Sequence, residues 1–168
     1  MLLLGLMVFS SSIVAFAEEP NDILMESSFE EEQNAKTNRL GMFGLKEFTE
    51  EIHQINALRI EKNQLQIQVI EKQDQLIDLY IKAREIGNRE VLEAAKEERK
   101  QIKEIHGEIK ALHEQAAAAR KAFREAVKNN DMETANAEIE KFMDIHSSIN
   151  DKIEEKVEVL DAIIEILS

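Results

Sequence analysis

The sequence predicts an all-α protein: an elongated antiparallel three-helix bundle with coiled-coil heptads, preceded by a signal peptide and a mobile acidic segment. Three observations carry this. The 168 residues hold one proline, Pro20, and five glycines, too few for a turn-rich β architecture. From Leu45 onward apolar residues recur at helical spacing. That pattern breaks only at Gly87-Asn88 and at Asn129-Asn130-Asp131.

Residues 1–17 read MLLLGLMVFSSSIVAFA and carry no charged side chain. They end in Ala15-Phe16-Ala17, the small-x-small pattern of a signal-peptidase site. The run is short for a membrane span, which needs about 20 apolar residues. A cleaved export signal is therefore expected, although no Lys or Arg precedes the apolar core. The expected location is exported: periplasm, cell surface or extracellular. No stable membrane span is expected after cleavage.

Residues 18–44 differ in composition. Glu18, Glu19, Asp22, Glu26, Glu30, Glu31 and Glu32 face only Lys36 and Arg39. This predicts a flexible acidic segment. Leu40, Met42 and Phe43 near its end are candidates for docking on the domain that follows.

That domain is residues 45–168, with helices expected near 45–86, 89–128 and 132–167. Glycine at 87 suits the left-handed position after a helix, and Asn88 caps the next one. Asp131 is a good N-cap for the third. Short loops favour antiparallel neighbours.

The second helix has the cleanest seam. Ile102, Ile105, Ile109, Leu112, Ala116, Ala119, Phe123 and Ala126 alternate by three and four, the a/d spacing of a coiled coil. The third runs Ala135, Ile139, Phe142, His146, Ile149, Ile153, Lys156, Leu160, Ile163 and Leu167 in the same rhythm, widened late by Val157 and Ile164. The first helix carries two rows. One is Leu58, Leu65, Val69, Leu76 and Tyr80. The other is Ile60, Ile67, Ile70, Ile77 and Ile81. At 100° per residue, Leu58 and Ile60 point to nearly opposite sides. The isoleucine row is covered by a wider bundle core, by the acidic segment, by a second copy, or by a client.

The composition narrows function. A net charge of −13 from 34 acidic and 21 basic residues argues against nucleic acid, whose phosphates need cationic surface. With no cysteine there is no disulfide, thiolate metal site or cysteine nucleophile. No phosphate-binding glycine loop or G-x-S-x-G elbow occurs. The paired carboxylates Glu97-Glu98 and Glu154-Glu155 read as solvated helix faces. An enzyme is not expected, nor is a cofactor. The candidate metal ligands are His53, His106, His113 and His146. His106 and His113 are about 10 Å apart along one helix, too far to share an ion directly. Glu50-Glu51-Ile52-His53 contains one Glu-x-x-His, but di-iron bundles need two.

An export signal, an acidic arm and long charged helices without cysteine together resemble the Spy/CpxP group of small exported stress proteins. The likeness is architectural and spans roughly residues 45–168. The group's Leu-Thr-x-x-Gln motif has its nearest counterpart in Phe48-Thr49-Glu50-Glu51-Ile52, which keeps the threonine alone. The group's client-facing surface is often basic, and this chain is acidic. The resemblance implies an all-helical, ATP-independent chaperone or stress-signalling inhibitor, and it assigns no residue here.

The expected function is thus an exported, non-enzymatic helical binding protein, most concretely an ATP-independent holdase-type envelope chaperone. The alternatives are an oligomeric coiled-coil scaffold or adaptor at the envelope and, third, a histidine-based metal binder. The partner is protein, either a client or a second copy in a homodimer. The surface concerned is Ile60, Ile67, Ile70, Ile77 and Ile81.

Overall fold

A computed structural model describes residues 46–168. The expected signal peptide (1–17) and acidic segment (18–44) lie outside the described residues. Three long helices account for nearly all of the rest: α1 (Thr49–Ile86), α2 (Arg89–Lys128) and α3 (Met132–Leu167). No strand occurs among the described residues.

The helices end where their backbones are given other partners. Gly87 closes α1 in the left-handed region (φ 75°). The Asn88 N–H then donates to the Ala83 carbonyl at 3.1 Å, and the Gly87 N–H to that of Arg84 at 3.1 Å, which satisfies carbonyls the helix end leaves open. Asn88 also starts α2, its side chain accepting from the Val91 N–H at 3.3 Å. Asp131 starts α3 by accepting from the Thr134 N–H at 3.1 Å and the Thr134 hydroxyl at 2.7 Å. Those two bonds, the hydroxyl's first, hold the Asp131 carboxyl below its ordinary range. Asn130 between them takes φ 57°, a conformation asparagine tolerates better than most side chains.

The first helix is expected from about residue 45 but begins at Thr49. Phe48 leaves helical geometry (φ −109°, ψ 29°), and its side chain is buried. Its ring meets Phe123 edge-on, with centroids 5.0 Å apart. This contact closes one end of the bundle.

α3 is the central element. It packs extensively on both α1 and α2, whereas α1 and α2 touch each other sparsely. Its buried set is correspondingly wide. The expected late widening at Val157 is buried, and beyond the expected positions so are Ile145, Asn150 and Val159. Lys156, expected on that seam, is half-buried, and burial pushes its ammonium below the usual lysine range. α2 buries Ile105, Ile109, Ala116, Ala119 and Ala126, with Ile102, Leu112 and Phe123 half-buried. Ala119 is fully buried.

Polar contacts fix the register. Glu108 of α2 pairs with Lys152 of α3 at 2.7 Å, the two lying at similar distances from the Asn129–Asp131 turn, so these helices are antiparallel. α1 runs parallel to α3: Asn150 reaches Glu61, and eleven residues further along each helix Asp161 meets Lys72. The same register sets Leu167 level with Asp78. Past that point, among the described residues, α1 has only α2 to pack on. Around this level Ala83 and Ala95 are buried, and the Arg99 guanidinium lies 4.9 Å from the Tyr80 ring centroid.

The Tyr80 hydroxyl is buried with no hydrogen-bond partner among the described residues. Burial raises its pKa, with Arg99 and Arg84 opposing. An orphaned hydroxyl costs free energy that removal recovers. Tyr80→Phe is therefore expected to stabilise the fold by about 0.5–1 kcal/mol, read as a higher urea midpoint at unchanged slope. A lower midpoint would show that the hydroxyl has a partner after all.

Candidate functional site

α1 is a helix with two different apolar faces. Its buried residues are Ile55, Lys62, Val69, Leu76 and Ala83, each seven after the last. Leu58, Leu65, Leu79 and Tyr80 are half-buried beside them. This is the face that α3 covers. Lys62 belongs to it, its charged head carried on a long apolar stem.

The register of this face is held by Asn150. Its amide nitrogen donates to the Leu58 carbonyl at 3.0 Å and to a Glu61 carboxylate oxygen at 2.8 Å. Asn150 is itself buried. A polar side chain with specific partners in an apolar seam selects one alignment over its one-turn slips.

The isoleucine row lies on the opposite side. Ile60, Ile67, Ile70, Ile77 and Ile81 are 60%, 55%, 64%, 58% and 52% exposed. A wider bundle core does not cover them: among the described residues, nothing does. Ile86, at the tip, continues the exposed apolar surface at 70%. Single exposed isoleucines are ordinary, but a continuous row is the kind of patch that marks an interaction surface.

Two polar positions complete the row. With Asn63 and Asp74, both exposed, the order becomes 60, 63, 67, 70, 74, 77, 81, an unbroken three-four alternation. Its flanks are largely uncharged. Gln64, Gln66, Gln68, Gln73 and Gln75 border it, and residues 63–70 contain no charge at all. In a chain of net charge −13, this stretch lacks the charged residues that usually keep an exposed helix face in water.

The four histidines are dispersed. His53 and His106 are exposed, His113 is half-buried, and His146 is buried in α3. The His146 ring meets Phe142 at a centroid distance of 4.5 Å, so it serves the α3 seam. No group of three or more metal-capable side chains comes together among the described residues.

An open groove between α2 and α3 is lined by Glu108, Leu112, Ser148 and Lys152, among others. Lys152 pairs there with both Glu108 and Glu155 at 2.7 Å. Those hydrogen bonds, Glu108's first, raise the lysine's pKa. A lysine held in its charged form is neither a base nor a nucleophile at neutral pH, and the groove gathers no other catalytic set.

Among the described residues no helix is long and apolar enough to cross a membrane. The chain was compared with family models, with curated proteins and with solved structures, and it matches none of them.

Proposed function

We propose that this is an exported, non-enzymatic helical binding protein that works through the outer face of α1, as a coiled-coil scaffold or adaptor at the cell envelope. The observation that carries this is the exposed row itself: five isoleucines at heptad-type spacing, on a helix whose other face is occupied by α3. A row with that rhythm fits another helix, which would seat side chains between successive isoleucines. Export rests on the composition of residues 1–17.

The second reading is a holdase-type chaperone, for which the same row would take up unfolded clients while the acidic surface keeps the complexes soluble. The resemblance in plan to the Spy/CpxP group favours it. The even spacing and narrow width of the row favour a regular helix as the occupant.

The two readings separate in one experiment. A chemically unfolded client is diluted into increasing amounts of the protein, and light scattering is followed. The holdase reading expects suppression at near-stoichiometric amounts. The scaffold reading expects none, together with a sedimenting mass above that of one chain. Ile67→Asp is expected to abolish whichever activity is present, because it places a charge at the centre of the row. If Ile67→Asp leaves both scattering and mass unchanged, the outer face of α1 is not the working surface.

A further inference from the structure

We infer that the occupant of the outer face of α1 is the same face of a second copy, running antiparallel about a two-fold axis that passes between Gln68 and Val69. This rests on the binding role proposed for that face and adds its partner and register.

The argument is one of self-complementarity. In an antiparallel pair of helices the two kinds of row position face one another in layers. Here one kind is 60, 67, 74 and 81, and the other is 63, 70 and 77. Centring the pair between residues 68 and 69 sets Ile60 against the partner's Ile77, and Ile67 against the partner's Ile70. It also sets Asn63 against the partner's Asp74. The two-fold repeats each layer, so the two polar positions of the row meet each other, and only Ile81, at the end of the row, faces a polar side chain, the partner's Asn56. The Asn63 amide can donate to the partner's Asp74 carboxylate, a charge-assisted bond.

No neighbouring register does this. Shifting by one heptad in one direction places Asp74 against the partner's Ile70 and Asn63 against the partner's Ile81. The opposite shift places Asn63 against the partner's Ile67. Each sets more polar side chains against isoleucine than the centred pair does, and each such layer costs the desolvation of an unpaired group. A parallel in-register pair would set Asp74 against the partner's Asp74, two like charges face to face.

The flanks agree. In the centred antiparallel pair Gln66 lies beside the partner's Gln73, Gln64 beside the partner's Glu71, and Ala57 beside the partner's Asp78. Between residues 57 and 78 no acid meets an acid; the like-charge flank pair is at the helix ends, Glu50 beside the partner's Glu85. For a chain of net charge −13, a central contact free of like-charge pairs favours this face and this register. An isologous pairing of this kind closes on itself as a dimer.

The protein has no cysteine, so introduced thiols report the register without background. Asn63→Cys and Asp74→Cys are made as separate single variants of the full chain. Each is tested alone and in an equimolar mixture under mild oxidation at neutral pH. The expected result is a covalent dimer in the mixture at several times the yield of either variant alone, abolished when both also carry Ile67→Asp. Equal or greater yield from either single variant alone would indicate a parallel or shifted pair and would overturn the inference. So would a single-chain mass for the unmodified protein in sedimentation at 100-fold above the concentration of the scattering assay. Either failure leaves the broader binding role standing if Ile67→Asp still abolishes client suppression; that role falls only if the substitution is silent there and in mass.

Discussion

Replacing Phe48 by alanine is expected to cost about 3 kcal/mol, the scale of a buried phenylalanine truncation. The ring is 1% exposed and lies edge-on to Phe123 at 5.0 Å. It also sits at the N-cap of α1, where its own side chain gives the helix no capping hydrogen bond. Apolar packing therefore does the work that a serine or aspartate does at other N-termini. The loss should appear as a lower urea midpoint with little change in slope. Amide exchange should accelerate most over the first turns of α1, with the Ile52 N–H, which donates to the Phe48 carbonyl at 3.0 Å, among the first. Single-domain stabilities are about 5–15 kcal/mol in total, so this one ring decides a large fraction. A cost under about 1 kcal/mol would mean that the end of the bundle is closed by something other than the Phe48–Phe123 contact.

Asn150→Asp is expected to be of similar size, about 3 kcal/mol at neutral pH, and to depend on pH. The substitution removes both donors from a buried site and sets a carboxylate where the amide now reaches the Glu61 oxygen at 2.8 Å. Burial and the neighbouring carboxylate both disfavour the charged form, so the new group's folded pKa is raised above its unfolded value of about 3.9. The folded state then binds more protons than the unfolded state as pH rises through this range, and stability relative to the parent falls. The penalty should be smallest below about pH 4, where the group is protonated in both states. It should grow as the pH rises and level off above the folded pKa. Urea unfolding of variant and parent at a series of pH values checks this, and a pH-independent difference would show that the carboxylate has escaped to solvent.

Much of the fold is legible in the sequence because helix periodicity and end signals are local. The α2 seam from Ile102 to Ala126 is a row of side chains facing one neighbour, and its spacing alone identifies it. Gly87, with its positive φ, and Asp131, with its Thr134 bonds, are end signals of the same local kind. The α3 breadth is less legible. Asn150 falls outside the three-four rhythm of the α2 seam, and it is buried where α1 approaches from another side, its amide meeting Leu58 and Glu61.

The candidate site divides in the same way. Both rows of α1 are visible in the sequence, but which row meets α3 is a tertiary fact. Spacing holds a clue that residue type hides. Ile55, Lys62, Val69, Leu76 and Ala83 are seven apart, and only the lysine keeps them from reading as one row. Asn63 and Asp74 are obscured in the same way on the outer face, where polar residues occupy positions of an otherwise apolar alternation. Asn150 carries no signal of its own, since its role depends on Leu58 and Glu61, about ninety residues away in sequence.

The central claim is that the outer row of α1 serves association and contributes little to the core of a single chain. The thermal midpoint as a function of protein concentration tests it most directly, measured for the parent and for the variant carrying Ile60→Gln, Ile67→Gln, Ile70→Gln and Ile77→Gln. Association that favours the folded state raises the midpoint with concentration. The account predicts that the two proteins unfold within a few degrees of each other when dilute. With increasing concentration, the parent's midpoint rises and the variant's does not. A variant that unfolds far below the parent even when dilute would place the isoleucines in the monomer's core and contradict the claim, as would a parent midpoint independent of concentration.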